Sequence, residues 1–322
     1  MDTCSHLIFG ATLAGLAHLH PAVAGDPALS AAVLAATLAS SHAPDLDSVV
    51  KFKSKDAYWR HHRGFSHSIP AWFCWSAAIG GSATWAWGIG DHAWLLFFWS
   101  FVAVAVHVLC DWTNAYGVQF LLPWRRTWLH LDAICLTDPW LAALHGTVVA
   151  GWLAGWWPNV GLTCAIAWGA TAAYAAWRIE HHRRVIKRLK RKARRWRAIH
   201  ALPGLWWFRW QYVVQTDEGY EMGWIEGERM IATRRLPYSE PHPCVEATRD
   251  VESVRTLHRF AKRRYATWTV DADGRYTVTW TDLRFWRERE WPYRAEVVLD
   301  RQLNVIAHNV GWHKRAWQYP YV

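Results

Sequence analysis

Long apolar stretches joined by short polar segments make up the first half of the chain, and the second half loses that rhythm. The apolar runs fall roughly at 7–24, 28–43, 69–90, 93–112, 139–157 and 160–177. A helix needs about 20 apolar residues, in a range of about 17 to 25, to cross a bilayer. Runs one, three, four, five and six meet that length, whereas run two, Ala28 to Ala43, is short and rich in small residues. Gly, Ala and Ser recur in runs one, two, three and six, which lets helices pack closely in lipid. Residues 178–200 continue as a helix with Val185, Ile186, Leu189, Ala193 and Trp196 near one side. That pattern predicts a basic amphipathic helix lying on the membrane surface.

From about Leu205 the period changes to two, and strands are expected at Trp210–Thr216, Tyr220–Ile225, Ala266–Val270, Tyr276–Trp280, Ala295–Leu299 and Val305–Val310. Asp271-Ala272-Asp273-Gly274 reads as a hairpin turn, Asp300 to Leu303 as another, and Arg249 to Arg264 as a helix. The expected architecture is an α-helical membrane bundle of five to six transmembrane helices followed by a small cytosolic, mostly antiparallel β domain. Its expected divisions are residues 1–177, a basic juxtamembrane helix or linker at 178–204, and a β-rich domain at 205–322.

Polar residues interrupt the apolar half in five clusters: Asp2 to His6, Asp45/Asp47, His62/His67, His107/Asp111 and Asp132/Asp138. They fall before run one, after run two, before run three, after run four and before run five. If every run crosses, alternation puts all five on one face. The charges agree. Lys51, Lys53, Lys55, Arg60, Arg63, Arg125 and Arg126 lie on the clustered side, and the turns His20–Pro27, Gly88–His92 and Trp156–Asn159 opposite contain no Lys or Arg. Positive residues mark the cytoplasmic side. A multi-pass protein of the bacterial inner membrane, with the clustered face and both termini cytoplasmic, is expected.

The net charge of +10 has a local source, because residues 178–197 hold eleven Lys or Arg against one Glu. A basic segment beside a membrane suits anionic lipid and disfavours broad nucleic-acid binding. Many of the 27 tryptophans, among them Trp85, Trp87, Trp124, Trp128, Trp156, Trp157 and Trp177, sit near the ends of apolar runs, as indoles do at a water–lipid boundary. The six cysteines form no CxxC pair, so a disulfide framework is not expected. The chain starts without a positively charged region and run one ends without a clear cleavage site, so run one is read as retained.

The clusters carry metal chemistry. His107 and Asp111 lie four apart, on one helix face. A carboxylate at the end of an apolar run is costly unless paired, wet or metal-bound. Imidazole and carboxylate together suit Zn, Mn or Fe. Pro44 breaks the second helix, so Asp45 and Asp47 share a turn. Gly64 allows a tight turn that aims His62 and His67 at one point, with His61 as a rival to His62. Ser66 or Ser68 caps the next helix, and Arg63 is placed to neutralise a carboxylate or hold an anionic substrate group. Taken alone, His6 reads as a surface histidine and Asp138, just before Pro139, as a helix cap. His6, Asp45, Asp47, His62, His67, His107, Asp111 and Asp138 together exceed the needs of one metal and suit two, an arrangement that activates water and clamps a phosphoryl or carbonyl oxygen. The β-rich half offers only dispersed histidines: His242, His258, His308 and His313.

The segments MDTCSHLIFG, PDLD, HRGFSHS, HVLCDWTNAYGVQFLLPW and LDAICLTDP, in that order over about residues 1–140, resemble the bacterial membrane-bound metal-dependent hydrolases, a group that includes LexA-regulated inner-membrane proteins. The resemblance implies a metal-dependent hydrolase of the inner membrane. It carries the metal positions to His6, Asp45, Asp47, His62, His67, His107, Asp111 and Asp138, gives Asn114, Tyr116 and Gly117 a supporting role, and gives Cys4 and Cys110 none. The function expected is hydrolysis of a lipid-borne ester, foremost a phosphoester, by a di-metal site of two zinc ions (Mn or Fe as alternatives). Asp47 or Asp138 is the expected general base, with Arg63 beside the substrate. The competing expectation is a non-catalytic membrane protein with a structural metal site and a partner-binding cytosolic domain.

Overall fold

The computed structural model describes residues 1–52, 57–58, 62–193, 195–287 and 290–313. His61, Lys53, Lys55 and Arg60 lie outside the described residues. The chain divides into two compact units, the first holding residues 1–47 and 63–180 and the second 48–62 and 181–322.

The first unit is helical: α1 (Thr3–Ala17), α2 (Pro21–Gly25), α3 (Pro27–His42), α4 (Ile69–Trp87), α5 (Ala93–Thr113), α6 (Pro139–Leu153) and the membrane-side part of α7 (Val160–Lys192). The starts are written locally. Asp2, Asp26, Ser68 and Asp138 cap α1, α3, α4 and α6 with side-chain oxygens, and α2, α3, α4 and α6 carry Pro in the first turn, where its missing N–H costs nothing. Gly88, at φ 65°, ends α4 in the left-handed conformation. Close packing follows from small residues. A Cβ on Gly80 would lie 2.9 Å from the Phe97 backbone nitrogen, so α4 and α5 approach almost backbone to backbone. Ala14, Ala17, Leu29, Ala32, Val33, Ala36, Leu95 and Leu96 fill the core between α1, α3 and α5.

Among the described residues, two helical segments are long and apolar enough to cross a membrane: Gly90–Thr113, of 24 residues, and Val160–Lys192, of 33. Five to six spans were expected. The other expected spans are shorter: α1 and α6 have 15 residues each, α3 has 16 and α4 has 19, and 15 residues of α-helix rise only about 22 Å. Run one stops because its chain turns at His18 to His20 into the proline that starts α2.

The second unit holds two four-stranded antiparallel meanders. One is β1 (Ala198–Pro203), β2 (Arg209–Gln215), β3 (Gly219–Glu226) and β4 (Arg229–Pro237); the other is β5 (Arg264–Val270), β6 (Tyr276–Asp282), β7 (Tyr293–Leu299) and β8 (Val305–Trp312). All six expected strands are present. β1 and β4 were not foreseen, since one follows a basic run and the other, RMIATRRLP, is an edge strand too charged to show alternation. Two short helices, α8 (Pro243–Ala247) and α9 (Glu252–Phe260), precede the second sheet, and α9 is shorter than the expected span.

One expectation is corrected. The apolar face of α7 beyond residue 180 does not rest on a membrane. Val185 and Leu189 are buried against Trp210, Tyr212, Val214 and Ile225 of the first sheet, with Ile186 and Ala193 beside them. The sheet needed a cover for its apolar face, and the helix stripe supplied it.

Candidate metal centre

Four side chains from three separate chain segments converge in the first unit. Asp45 comes from the 3-10 turn after α3, His67 from the 3-10 turn Phe65–His67 before α4, and His107 and Asp111 from successive turns of α5. His67 Nε2 lies 3.3 Å from His107 Nε2, 3.6 Å from Asp45 Oδ1 and 3.5 Å from Asp111 Oδ2. His107 Nε2 lies 3.7 Å from each of the same two oxygens. Zinc bonds of about 2.0–2.2 Å to N and O ligands place tetrahedral donors about 3.3–3.6 Å apart. The spacing therefore suits one small divalent cation.

Hydrogen positions strengthen this. His107 Nδ1 meets the Ser41 carbonyl at 2.7 Å, so that nitrogen donates and Nε2 keeps its lone pair. Ser66 Oγ donates to Asp47 Oδ2 at 2.6 Å, which leaves it to accept from His67 Nδ1 at 2.9 Å and again frees Nε2. Asp45 Oδ1 and Asp111 Oδ2 are buried and accept no hydrogen bond. Two imidazole nitrogens and two carboxylate oxygens thus face one point. Buried lone pairs of this kind are stable only around a proton or a cation. The proton is the rival occupant. Burial disfavours a charged His67, but contacts with Asp111 and Asp45 outweigh it and raise its pKa above the ordinary value. For Asp45, burial raises the pKa, but the close imidazoles of His107 and His67 prevail and hold it below the usual carboxylate range.

Around the four lies a supporting ring. Arg63, buried and in the left-handed conformation at φ 61°, extends its guanidinium to Asp111 Oδ1 at 3.0 Å and to Asn114 Oδ1 at 3.2 Å. Its backbone N–H donates to Asp47 at 2.9 Å. Asn114 Oδ1 also accepts from the backbone of Tyr116 and Gly117, which fixes the chain leaving α5. The His6 ring stacks on His107 with centroids 3.7 Å apart, and its Nε2 lies 3.5 Å from Asp111 Oδ1. The Met1 amino group bonds to both His6 Nε2 and Asp111 Oδ1.

Of the eight ligands expected, Asp45, His67, His107 and Asp111 form one group, and Asp45, Asp47 and His62 a second whose donor atoms lie within 4.8 Å of one another. Asp47 stands behind His67, through Ser66. His6 faces the other oxygen of Asp111. His62 belongs to the second unit, its ring stacked on Tyr58 at 4.6 Å. Asp138 is placed elsewhere: Oδ1 caps α6 through Trp140 and Leu141, and Oδ2 accepts from Tyr174 at 2.8 Å. Both oxygens are committed, so its expected roles as ligand and base are corrected to helix capping. Asp132, at φ 53°, accepts from His130 at 2.8 Å. Ser66 was expected only as a cap, and Ser68 holds that place. Ser41 acts through its carbonyl, which no residue-type pattern reveals.

Residues 1–185 match the family model described as YdjM inner membrane protein, and residues 243–319 match the YfhP C-terminal alpha/beta plait domain. A relative from Bacillus subtilis (strain 168), which carries the name "Uncharacterized protein YfhP", is 33% identical over 319 residues, or 97% of this chain and 95% of the relative. No solved structure matches. The first family match contains the whole four-residue cluster, and the relative matches nearly end to end. The chain belongs to the YdjM inner membrane protein family.

Proposed function

We propose that this protein is an integral inner-membrane hydrolase that works through one divalent cation, zinc foremost, held by Asp45, His67, His107 and Asp111. The observation that carries the reading is the pair of buried carboxylate oxygens, Asp45 Oδ1 and Asp111 Oδ2, that face the Nε2 atoms of His67 and His107, themselves 3.3 Å apart. The donor set favours catalysis over a purely structural site, since structural zinc sites are built mainly on cysteine thiolates and this set has none. A cation bound there supplies a Lewis acid that polarises an ester oxygen and acidifies water. The chain's own part is to fix the ligands: Ser66 and Asp47 orient His67, the Ser41 carbonyl orients His107, and Arg63 balances Asp111. This reading needs one cation at the four-residue group; a second would fall to Asp45, Asp47 and His62.

The substrate class follows from the rim. His67, His107 and Asp111 have fully buried side chains, whereas Asp45 and Asp47 are 12% and 11% exposed, so approach is from the 3-10 turn. Leu46 and Phe65, next in sequence to site residues, expose 49% and 67% of their surface. An apolar rim beside a cation suits a lipid-borne ester, and a phosphoester best. In this reading the chain crosses five to six times with both termini cytoplasmic.

The test is metal analysis of protein purified in detergent, with hydrolysis of a lipid phosphoester panel. Wild type should hold one cation per chain and turn over at least one ester, and His67→Ala and Asp111→Ala should do neither. Equal metal in all three proteins would end the reading. The complete burial of three ligands favours one alternative, a structural metal site. Metal bound in wild type with no hydrolysis across the panel, and loss of folded protein on chelation, would support it.

A further inference from the structure

Three consecutive aromatic side chains of the second unit keep much of their surface exposed. Trp206, Trp207 and Phe208 are 66%, 39% and 55% exposed in the turn between β1 and β2. The turn is ordered. Gly204 N–H donates to the Arg209 carbonyl at 2.8 Å, Arg209 N–H to the Trp206 carbonyl at 3.0 Å, and Gly227 N–H to the Phe208 carbonyl at 3.0 Å. Backbone bonds thus present the rings; they have not merely failed to find a core. A contiguous exposed aromatic patch of this kind marks a contact surface.

Its location says which surface. Phe208 packs edge-on against His181, with ring centroids 5.6 Å apart, and Trp210 behind it meets the same ring at 5.4 Å. His181 follows Glu180 directly in α7, so the aromatic turn is tied to α7 just past its apolar stretch. The next turns of α7 expose Arg183, Lys187, Lys190 and Arg191. Indole rings favour the headgroup level of a bilayer, and exposed cations favour its anionic lipids.

We propose that Trp206, Trp207 and Phe208 form an interfacial anchor that seats the second unit on the cytoplasmic headgroups beside α7, with the exposed basic residues of α7 facing anionic lipid. The apolar stripe of α7 takes no part, since the first sheet covers it. The anchor is independent of the metal centre. A protein without any bound metal would still carry it.

The test is photocrosslinking of the full chain in nanodiscs of phosphatidylethanolamine and phosphatidylglycerol. p-Benzoylphenylalanine replaces Trp207 or Phe208 in separate variants. Ile166, 65% exposed in α7, is the lipid-facing reference position, and exposed Asp273 in the β5–β6 hairpin the solvent reference. Mass spectrometry reads the adducts. Lipid adducts at positions 207 and 208 at a yield like that at 166, with none at 273, are expected. Adducts to a second copy, to another segment of the same chain, or no adducts while 166 yields lipid, would each overturn the anchor. Circular dichroism and thermal melting like those of wild type show that both variants remain folded.

Discussion

Asp111 in the first unit and Asp282 in the second are both fully buried carboxylates beside an arginine, yet only one of them looks like chemistry. Asp282 accepts from the backbone N–H groups of Lys262, Arg263 and Arg284 and from the Arg284 side chain, so both of its oxygens are used. Its partners lie within twenty residues of it in sequence. Asp111 draws partners from the N-terminus, from α1 and from the stretch before α4, and still has Oδ2 to spare. Burial and charge therefore do not distinguish a site from a fold device. The leftover lone pair does, because a fold that merely needed the charge held would have satisfied it.

The largest break in this comparison is metal content. Asp111→Asn keeps volume and removes the charge, and should lose the cation in plasma emission analysis while keeping the helical circular dichroism of wild type. Asp282→Ala should do the reverse. Removing one partner of a buried pair costs about 3–5 kcal/mol, so melting temperature should drop clearly with metal content unchanged. If Asp282→Ala lost metal and Asp111→Asn lost only stability, the distinction drawn here between the two carboxylates would be wrong.

Next in size is the competition between proton and cation at His67. Its raised pKa means that the cation-free fold holds a proton there up to a pH above about 6.5, the ordinary histidine value. The cation must displace that proton. Its apparent affinity should fall about tenfold per pH unit on the acidic side and level off on the alkaline side. Chelator competition across that range measures it, and a flat profile would mean that His67 is not a ligand. A smaller effect is expected one step further out. Ser66→Ala removes the acceptor of His67 Nδ1, and such supporting bonds are commonly worth about 10–100-fold in metal affinity. Ser66→Thr keeps the hydroxyl and should restore most of it.

These residues also show what a sequence can and cannot say. The apolar runs gave the helices, and the polar clusters at their ends gave His67, His107, Asp45 and Asp111, because a charged group beside lipid needs a reason that a reader can see. The strands β2, β3 and β5 to β8 were visible through alternation. Two kinds of information were not. Span length depends on where a helix stops, and α1, α4 and α6 end at Ala17, Trp87 and Leu153, short of the apolar runs that contain them, at turns a hydropathy pattern does not register. The stripe on α7 showed that it would be buried without showing what would cover it; the cover is a sheet whose first strand begins only at Ala198. Ser66 and Ser41 serve the site through one hydroxyl and one carbonyl, and neither leaves a compositional trace.

Asp138 offers the finest cut, since it satisfied every sequence criterion that Asp111 did. It is acidic, buried, at a helix end and on the clustered side. The difference lies in what its oxygens do: Oδ1 receives two backbone N–H groups of α6 and Oδ2 receives the Tyr174 hydroxyl. Loss of a helix cap costs about 0.5–2 kcal/mol. Asp138→Ala should therefore lower stability by that amount in thermal unfolding and leave the bound cation in place. Asp138→Asn, which keeps an acceptor for the N–H groups, should recover most of the loss, whereas Asp111→Asn recovers no metal. If Asp138→Asn instead emptied the centre, this carboxylate would belong to the cation after all, and two committed oxygens would not be a sufficient sign of a structural role.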